Sequence, residues 1–288
     1  MKILVAVDEN AYSRYAVRQA ARLAANTWAD VTMLAIEKNC TYVSEEELGQ
    51  KSAHPKLVML DRYWSDFVDC FGPDVDLYLR KKGDSFKHRA DKVLELDASD
   101  RKHLLLHLRK GDPVKAIASE AQSENCDLVI LGCGHHEGGW GRGSDVPGRV
   151  ADAADCSTLI IREDAAPSKI VCCLDHSDIS QESLEMINQW VTLYDASLEV
   201  VGVLCHGELH ENVEAKMGEV LSYYLNRNVR AMVRVVDEKD LNSFIESGRE
   251  EDIMALWLRH KSPMQRLFNS HKVASLINHA SSSILVLR

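Results

Sequence analysis

The segment Lys2-Ile-Leu-Val-Ala-Val-Asp8 decides the fold, because its pattern returns as Lys169-Ile-Val-Cys-Cys-Leu-Asp175. Each copy is a Lys, a run of five apolar residues and an Asp, followed by a polar turn and a helical pattern. A short apolar run between turns is typical of a strand that is buried on both faces of a parallel sheet. A second pair of similar runs, Asp127-Leu-Val-Ile-Leu131 and Asp252-Ile-Met-Ala-Leu-Trp-Leu258, indicates that the chain consists of two copies of one unit.

The boundary between the copies is marked by a short polar stretch with a proline, Glu163-Asp-Ala-Ala-Pro-Ser168. Such composition is typical of a linker. We therefore predict a first domain at 1–163 and a second domain at 169–288. The first copy is longer, and its surplus predicts an insertion at about 38–102.

Apolar runs that alternate with helical patterns predict two tandem open five-stranded parallel sheets with helices on both faces. In the first copy the strands are expected near 2–7, 31–36, 103–108, 127–132 and 157–161, and the helices near 12–26, 85–98, 113–123 and 144–154. In the second copy the strands are expected near 169–174, 198–204, 229–236, 252–258 and 283–287, and the helices near 180–194, 211–226, 239–248 and 271–280.

The insertion contains an apolar stripe with helical spacing, formed by Leu57, Leu60, Trp64, Phe67 and Phe71. Polar residues lie between the members of this stripe, so the spacing predicts an amphipathic helix. Three interpretations remain open for it: packing on its own domain, a lid over a ligand, or a contact with the other half or a second chain.

Composition excludes several classes of protein. The 288 residues carry 34 Lys and Arg against 44 Asp and Glu, a net charge of −10, which argues against binding to nucleic acid or to an anionic membrane. No apolar run approaches the roughly 18 to 20 residues that cross a bilayer, and the first residues do not resemble a signal peptide. We therefore expect a cytoplasmic protein whose eight cysteines, none in a C-x-x-C pair, are mostly buried free thiols.

A glycine-rich loop follows the fourth strand of the first copy, with the sequence Leu131-Gly-Cys-Gly-His-His-Glu-Gly-Gly-Trp-Gly-Arg-Gly143-Ser144. Glycines free the backbone for positive φ and for close approach to a ligand, and a helix that begins at Ser144 would favour phosphate. The alternative is a merely flexible connection. Asp8 ends the first strand at the same edge of the sheet, where ligands of open parallel sheets bind.

With these features the chain resembles the universal stress protein family, in its tandem two-domain form. The resemblance rests on Asp8, the run at 111–121 (Gly-Asp-Pro-Val-Lys-Ala-Ile-Ala-Ser-Glu-Ala), the glycine-rich loop and the closing strand. In that family an Asp at the end of strand one and a G-x2-G-x9-G-(S/T) loop after strand four bind ATP. The resemblance implies a Rossmann-like fold of the adenine nucleotide alpha hydrolase type and ATP or ADP, with or without Mg, as cofactor.

The resemblance assigns adenosine anchoring to Asp8, the first loop glycine to Gly132 and the phosphate-holding pair to Gly143 and Ser144. His135 stands where the second loop glycine is expected, so Gly134 would substitute and the spacer shortens. The full set of implied nucleotide-binding residues is Ala6, Val7, Asp8, Ile36, Leu131, Gly132, Gly134, Arg142, Gly143, Ser144 and Asp145.

The second copy is expected to be degenerate. Asp175 keeps the carboxylate of the first strand, but the loop after the fourth strand, at 259–270, contains no glycine. Without glycine the backbone cannot easily turn its N–H groups around a phosphate.

We do not expect a metal site at the adjacent histidines 135 and 136, because neighbouring loop residues cannot readily chelate one ion together. We therefore predict a nucleotide-responsive binding module that acts through an unknown protein partner, as a homodimer or an intrachain pseudo-dimer. Two alternatives stay open: slow hydrolysis of ATP with Asp8 or Asp145 holding Mg²⁺, and an interaction scaffold that binds no nucleotide.

Overall fold

The computed structural model describes residues 1–37, 54–71, 78, 87–89, 92–97, 104–134, 146–174, 180–204, 211–257, 277 and 280–288. Its internal contacts divide the chain into two compact units, Met1–Ile161 and Arg162–Arg288. In the described residues no helix is both long and apolar enough to cross a membrane.

Apart from the stretch at 85–98, the first unit alternates strands and helices in the expected order. Its described elements are β1 (Lys2–Val7), α1 (Ala11–Thr27), β2 (Asp30–Glu37), α2 (Pro55–Val68), β3 (Lys87–Arg89), β4 (Lys92–Asp97), β5 (Leu104–Lys110), α3 (Pro113–Ser123), β6 (Leu128–Gly132), α4 (Val146–Ala153) and β7 (Ser157–Ile161).

The sheet of the first unit has the order β7-β6-β1-β2-β5-β4-β3. The pairs from β7 to β5 are parallel, and in the register Ala6 lies beside both Leu34 and Leu131. The chain builds outward from β1 through β2 and β5 and then returns to the other side of β1 as β6. The carboxyl ends of β1 and β6 therefore form the switch point of strand order, where open parallel sheets bind ligands.

The predicted helix near 85–98 is wrong: β3 and β4 occupy this stretch and pair antiparallel with each other, and β4 pairs antiparallel with β5. In β4 the apolar residues Leu94 and Leu96 alternate with Glu95 and Asp97, which is the period of a strand. Pairing with the open edge of β5 gives the backbone of β4 its hydrogen-bond partners. The sheet of this unit consequently extends two strands beyond the predicted five.

The second unit contains β8 (Lys169–Leu174), α5 (Gln181–Tyr194), β9 (Ser197–Leu204), α6 (Glu211–Leu225), β10 (Ala231–Asp237), α7 (Leu241–Glu246), β11 (Ile253–Trp257) and β12 (Ser283–Leu287). Its sheet has the order β10-β9-β8-β11-β12, and every pair is parallel. This order repeats that of the parallel strands of the first unit. The helix predicted near 271–280 lies outside the described residues except for Ile277 and Ala280.

Burial follows the predicted pattern of a doubly covered sheet except in β10, where the residues from Met232 to Val235 are exposed. All residues of β6, β7, β11 and β12 are buried, as are the five that follow Lys2 in β1. α1 has a buried stripe of mostly small apolar residues, which comprises Ala16, Val17, Ala20, Ala21, Leu23 and Ala24. Because small side chains allow close approach of helix and sheet, this stripe places α1 directly against β1 and β6.

A charged cluster is buried between β5 and α3. Glu120 and His107 are fully buried, and the Glu120 Oε1 atom lies 2.5 Å from the Nδ1 atom of His107. The other carboxylate oxygen lies 2.5 Å from the Nε atom of Arg109, which also reaches Ser119. Loss of the carboxylate charge would leave the Arg109 guanidinium without its counter-ion in a largely buried site.

We expect Glu120→Gln to lower the free energy of unfolding by about 3 kcal/mol, the usual cost of breaking a buried ion pair. Glu219→Gln is the control, because Glu219 pairs with Lys216 on an exposed face of α6, and it should change stability by less than about 0.5 kcal/mol. Urea unfolding at neutral pH measures both. Equal losses in the two variants would contradict a stabilising role for the buried cluster.

The described cysteines are free thiols of contrasting exposure. Cys126, Cys172 and Cys173 are buried, whereas Cys70 is exposed. Burial raises the pKa of Cys126 to about 12 and that of Cys173 to about 12. The thiolate is the reactive form, so burial and raised pKa together protect these thiols.

Alkylation of the native protein at pH 8 should therefore modify Cys70 within minutes and leave Cys126, Cys172 and Cys173 intact until denaturant is added. Mass spectrometry of proteolytic peptides reads the modification at each position. Modification of the three buried thiols at the rate of Cys70 would contradict their placement in the core.

Candidate functional site

The carboxylate of Asp8 lies at the switch point and accepts four hydrogen bonds. Its Oδ1 atom accepts from the Asn10 backbone N–H (3.0 Å) and the Ser13 hydroxyl (2.7 Å). Its Oδ2 atom accepts from the Asn10 side-chain amide (2.7 Å) and the Tyr12 hydroxyl (2.6 Å). The Ser13 hydroxyl in turn accepts from the backbone N–H of Asp8 at 3.0 Å. One buried carboxylate thus ties the end of β1 to the first turn of α1.

The two oxygens of Asp8 differ in what holds them. Oδ1 is fixed by a backbone amide and by Ser13, which is fully buried. Oδ2 accepts from two side-chain donors, those of Asn10 and Tyr12, which also bond each other at 2.7 Å. Side chains can rotate away without moving the main chain, so Oδ2 is the oxygen that a ligand could reach.

Gly132 ends β6 beside this cluster. A Cβ atom at this position would overlap the carbonyl group and the ring of Tyr12. The backbone continues into Cys133, whose N–H donates to the carbonyl of Ile161 at 2.8 Å. Close packing of α1 on the end of β6 therefore accounts for a glycine at this position, independently of any phosphate.

The helix of the insertion packs on its own unit and covers the main chain after β1. The Tyr63 hydroxyl lies 2.9 Å from the carbonyl oxygen of Asp8 and 3.1 Å from that of Asn10, so it donates its proton to this pair. Burial raises the pKa of Tyr63, which keeps the hydroxyl protonated at neutral pH. Of the predicted stripe, Leu57, Leu60 and Phe67 are buried, whereas Trp64 is only half-buried.

Two ion pairs join the insertion helix to the start of α1. The Arg14 guanidinium contacts the Asp66 carboxylate at 2.6 Å, and Lys56 pairs with Glu9. Burial acts to raise the pKa of Glu9, but the hydrogen bond and charge of Lys56, with a backbone hydrogen bond, outweigh it and lower that pKa. The helix is therefore anchored on both sides of the Asp8 cluster.

The structure brings six of the residues implied by the resemblance to one edge of the sheet. These buried residues end β1, β2 and β6, and they are Ala6, Val7, Asp8, Ile36, Leu131 and Gly132. Gly134 follows in the half-buried chain after β6. The remaining implied residues of the first unit lie outside the described residues: Arg142, Gly143, Ser144 and Asp145, together with His135. Asp175, the corresponding carboxylate of the second unit, also lies outside them.

Three hydrogen-bond partners of Asp8 were not predicted from the sequence. Asn10, Tyr12 and Ser13 lie two, four and five residues after Asp8, and their closeness in sequence was the available signal for a turn that satisfies the carboxylate. Tyr63 was missed because it lies next to the apolar stripe rather than within it. No group of three or more metal-ligating side chains occurs among the residues that the structure describes.

Gly132→Ala should lower the free energy of unfolding by more than about 2 kcal/mol, because the added methyl group must displace the Tyr12 main chain. Gly218→Ala is the matched control: this glycine lies within α6, and its added Cβ meets no atom within 4 Å. The control should gain up to about 1 kcal/mol. Thermal unfolding compares the two, and an unchanged stability of Gly132→Ala would contradict the close packing.

Comparisons with known proteins agree with this architecture. Residues 73–162 match the model of the universal stress protein family. The crystal structure of a universal stress protein from Archaeoglobus fulgidus DSM 4304 is similar with a TM-score of 0.64 and 12% sequence identity, over 100% of this chain and 96% of that chain. A putative universal stress protein from Pseudomonas aeruginosa UCBPP-PA14 is similar with a TM-score of 0.55 and 14% identity, over 99% and 92%.

The same fold also occurs in the cytoplasmic domain of a prokaryotic cation chloride cotransporter, with a TM-score of 0.52 and 13% identity over 99% of this chain and 94% of that chain. No curated protein matches in sequence. At such identities the structural matches establish the fold, and function depends on the site. The sequence match at residues 73–162 and the shared fold together confirm the resemblance to the universal stress protein family.

Proposed function

We propose that the first unit binds an adenine nucleotide, ATP or ADP, at the switch point of its sheet and that binding alters a surface for a protein partner. The observation that carries this proposal is the buried Asp8 carboxylate at the end of β1, one oxygen of which accepts from two side-chain donors that can rotate away. A carboxylate in this position is a suitable acceptor for a ribose hydroxyl, as the family resemblance implies.

A bound nucleotide must replace hydrogen-bond donors that already contact the Asp8 carboxylate. A ribose hydroxyl would donate to Oδ2 of Asp8 while Tyr12 or Asn10 rotates away, and Oδ1 would keep its contacts with the Asn10 backbone and Ser13. Exchange of one donor for another changes the free energy little, because hydrogen bonds are replaced rather than lost. The displaced Tyr12 side chain abuts Gly132, so binding would reach the start of the glycine-rich loop.

Displacement of Tyr12 couples binding to the protein surface. Asn10 and Tyr12 open α1, and Tyr63 of the insertion helix holds the carbonyl groups of Asp8 and Asn10. A ligand shifts a conformational equilibrium only through different affinities for the two states. Here the two states would differ in the position of Tyr12 and in the fit of the insertion helix above it.

Hydrolysis with Asp8 as a Mg²⁺ ligand is less favoured. An ionised carboxylate offers roughly four lone-pair sites, and the four donors on Asp8 match that number. A Mg²⁺ ion would have to displace at least one of these donors and also give up part of its own hydration shell, which Mg²⁺ loses reluctantly. A ribose hydroxyl only exchanges one hydrogen-bond donor for another at Oδ2.

A second candidate is an interaction scaffold that binds no nucleotide. The same four hydrogen bonds favour it, because they satisfy Asp8 without any ligand. In this case Asp8 serves only to fix the turn between β1 and α1.

Nucleotide titrations of the full chain separate the two candidates. Tyr12→Phe removes one competing donor from Oδ2, so it should bind ATP up to about 10-fold more tightly. Asp8→Asn replaces the acceptor and should weaken ATP binding by about 10-fold or more. Equilibrium dialysis with labelled ATP measures the dissociation constants, and circular dichroism checks that each variant is folded.

Tyr15→Phe is the matched control, because it removes a tyrosine hydroxyl from the same helix as Tyr12→Phe does, at a residue that has no assigned role in holding Asp8. It should leave the affinity unchanged. If the folded wild-type protein and Tyr12→Phe both fail to bind ATP and ADP, nucleotide binding is wrong and the scaffold remains. Release of ADP from bound ATP would instead support the hydrolase.

A further inference from the structure

The second unit contains a cleft at the amino ends of its strands, whereas the Asp8 site of the first unit lies at the carboxyl ends of the strands. The cleft has a volume of about 250 Å³ and is lined by charged and polar side chains, among them Lys169, Glu199, Arg234, Arg249, Asp252 and Ser282. Lys169 opens β8, and Asp252 and Ser282 directly precede β11 and β12. Three cations face two carboxylates, so the lining carries a formal charge of +1.

Glu199 holds two of the cations in place. Its side chain is buried, and its carboxylate accepts from the Lys169 ammonium at 3.1 Å and pairs with the Nε atom of Arg234. Lysine has three N–H donors and arginine has five, so donors remain on both after these contacts. Both side chains are partly exposed at the cleft. The carboxylate therefore positions two cationic groups whose charge it does not fully cancel.

Ser282 supplies the observation that points to a ligand. It is fully buried, and its hydroxyl has no hydrogen-bond partner among the described residues. Gly248 faces it closely, because a Cβ built there would lie 3.1 Å from the Ser282 oxygen. An unsatisfied buried hydroxyl costs about 1 to 3 kcal/mol. A bound polar group in the cleft would remove that cost.

Asp252 limits which anion can enter. Its carboxylate is buried and accepts from the Ser168 hydroxyl at 3.3 Å, and burial raises its pKa. A carboxylate repels a bare anion but accepts readily from a hydroxyl group. Phe244 and Met254 add apolar surface to the same cleft.

We propose that this cleft binds a small hydroxylated oxyanion, a phosphate or carboxylate compound with at least one hydroxyl group. The oxyanion contacts Lys169, Arg234 and the Ser282 hydroxyl, and the ligand's hydroxyl donates to Asp252. Arg249 adds long-range attraction from the rim. The volume corresponds to about eight water molecules, which suits a compound of that many heavy atoms. A metal ion is disfavoured because Glu199 already has two cations.

The test uses calorimetric titration of the full chain with four probes: glycerol 3-phosphate, glycerate, inorganic phosphate and glycerol. We expect glycerol 3-phosphate or glycerate to bind with a dissociation constant of about 1 mM or lower, inorganic phosphate to bind more weakly and glycerol not to bind. The stronger of the two hydroxylated probes tells whether the oxyanion is a phosphate or a carboxylate. Absence of binding by both would overturn the proposal.

Variants test the assigned contacts. Ser282→Ala should weaken binding by about 10-fold. Arg249→Ala removes only long-range attraction from an exposed group, so it should weaken binding by about 2- to 3-fold. Arg230→Ala is the control for Arg249→Ala, because both arginines are about three-quarters exposed, at 74% and 77%, and each pairs loosely with an acidic neighbour. It should leave binding unchanged. Equal weakening by Arg230→Ala would mean non-specific attraction and would overturn the site.

Ser282→Ala has a second readout. If the hydroxyl has no ligand, its removal relieves a buried unsatisfied group, so the variant should unfold at a higher temperature and bind the probes unchanged. That result would overturn the proposal. Under the proposal, addition of the probe raises the melting temperature of the wild-type protein more than that of Ser282→Ala, because only the wild-type hydroxyl gains a hydrogen-bond partner. Neither result bears on nucleotide binding by the first unit.

Discussion

The hydrogen-bonded carboxylate of Asp8 is the constraint on which the first unit depends. It receives a backbone amide, two hydroxyls and a side-chain amide within the turn that joins β1 to α1. That turn sets the entry of α1, which in turn brings Tyr12 against Gly132 and fixes the end of β6. The Tyr63 hydroxyl of the insertion helix then bonds to the carbonyl groups of Asp8 and Asn10 in this turn. A single buried charge thus links the central strand, the first helix, the fourth parallel strand and the insertion.

The strands and most helices could be predicted from the sequence because their apolar periods are uninterrupted. The stretch at 85–98 was predicted wrongly, although β4 has the alternation of a strand, because its strands are short and depend on the open edge of β5 for hydrogen bonds. The partners of Asp8 were a different problem: Asn10, Tyr12 and Ser13 lie within five residues of Asp8, but Tyr63 lies more than 50 residues away. A long-range contact through one hydroxyl leaves no periodic signal in a single sequence.

Both units bury charge, but they do so in different parts of the sheet. In the first unit Glu120 of α3 holds His107 and Arg109 of the third parallel strand. In the second unit Glu199 of β9 holds Lys169 and Arg234 of its two neighbouring strands. A charged triad that spans three strands stiffens one edge of a sheet and presents its remaining donors to solvent. The triad of the first unit lies largely under α3, whereas Lys169 and Arg234 of the second unit are more exposed, so the second arrangement leaves more donors for a ligand.

The two ends of a parallel sheet require different means of holding an anion. Helices begin near the carboxyl ends of the strands, where free backbone N–H groups and the helix dipole attract phosphate without any charged side chain. At the amino ends the helices terminate, and the carbonyl groups there repel an anion. A binding site at that end must therefore be built from Lys and Arg side chains that a buried carboxylate orders, which is the arrangement of Lys169, Arg234 and Glu199. At the amino ends of the strands an anion site therefore needs buried charged side chains, whereas at the carboxyl ends backbone N–H groups can hold the anion without them.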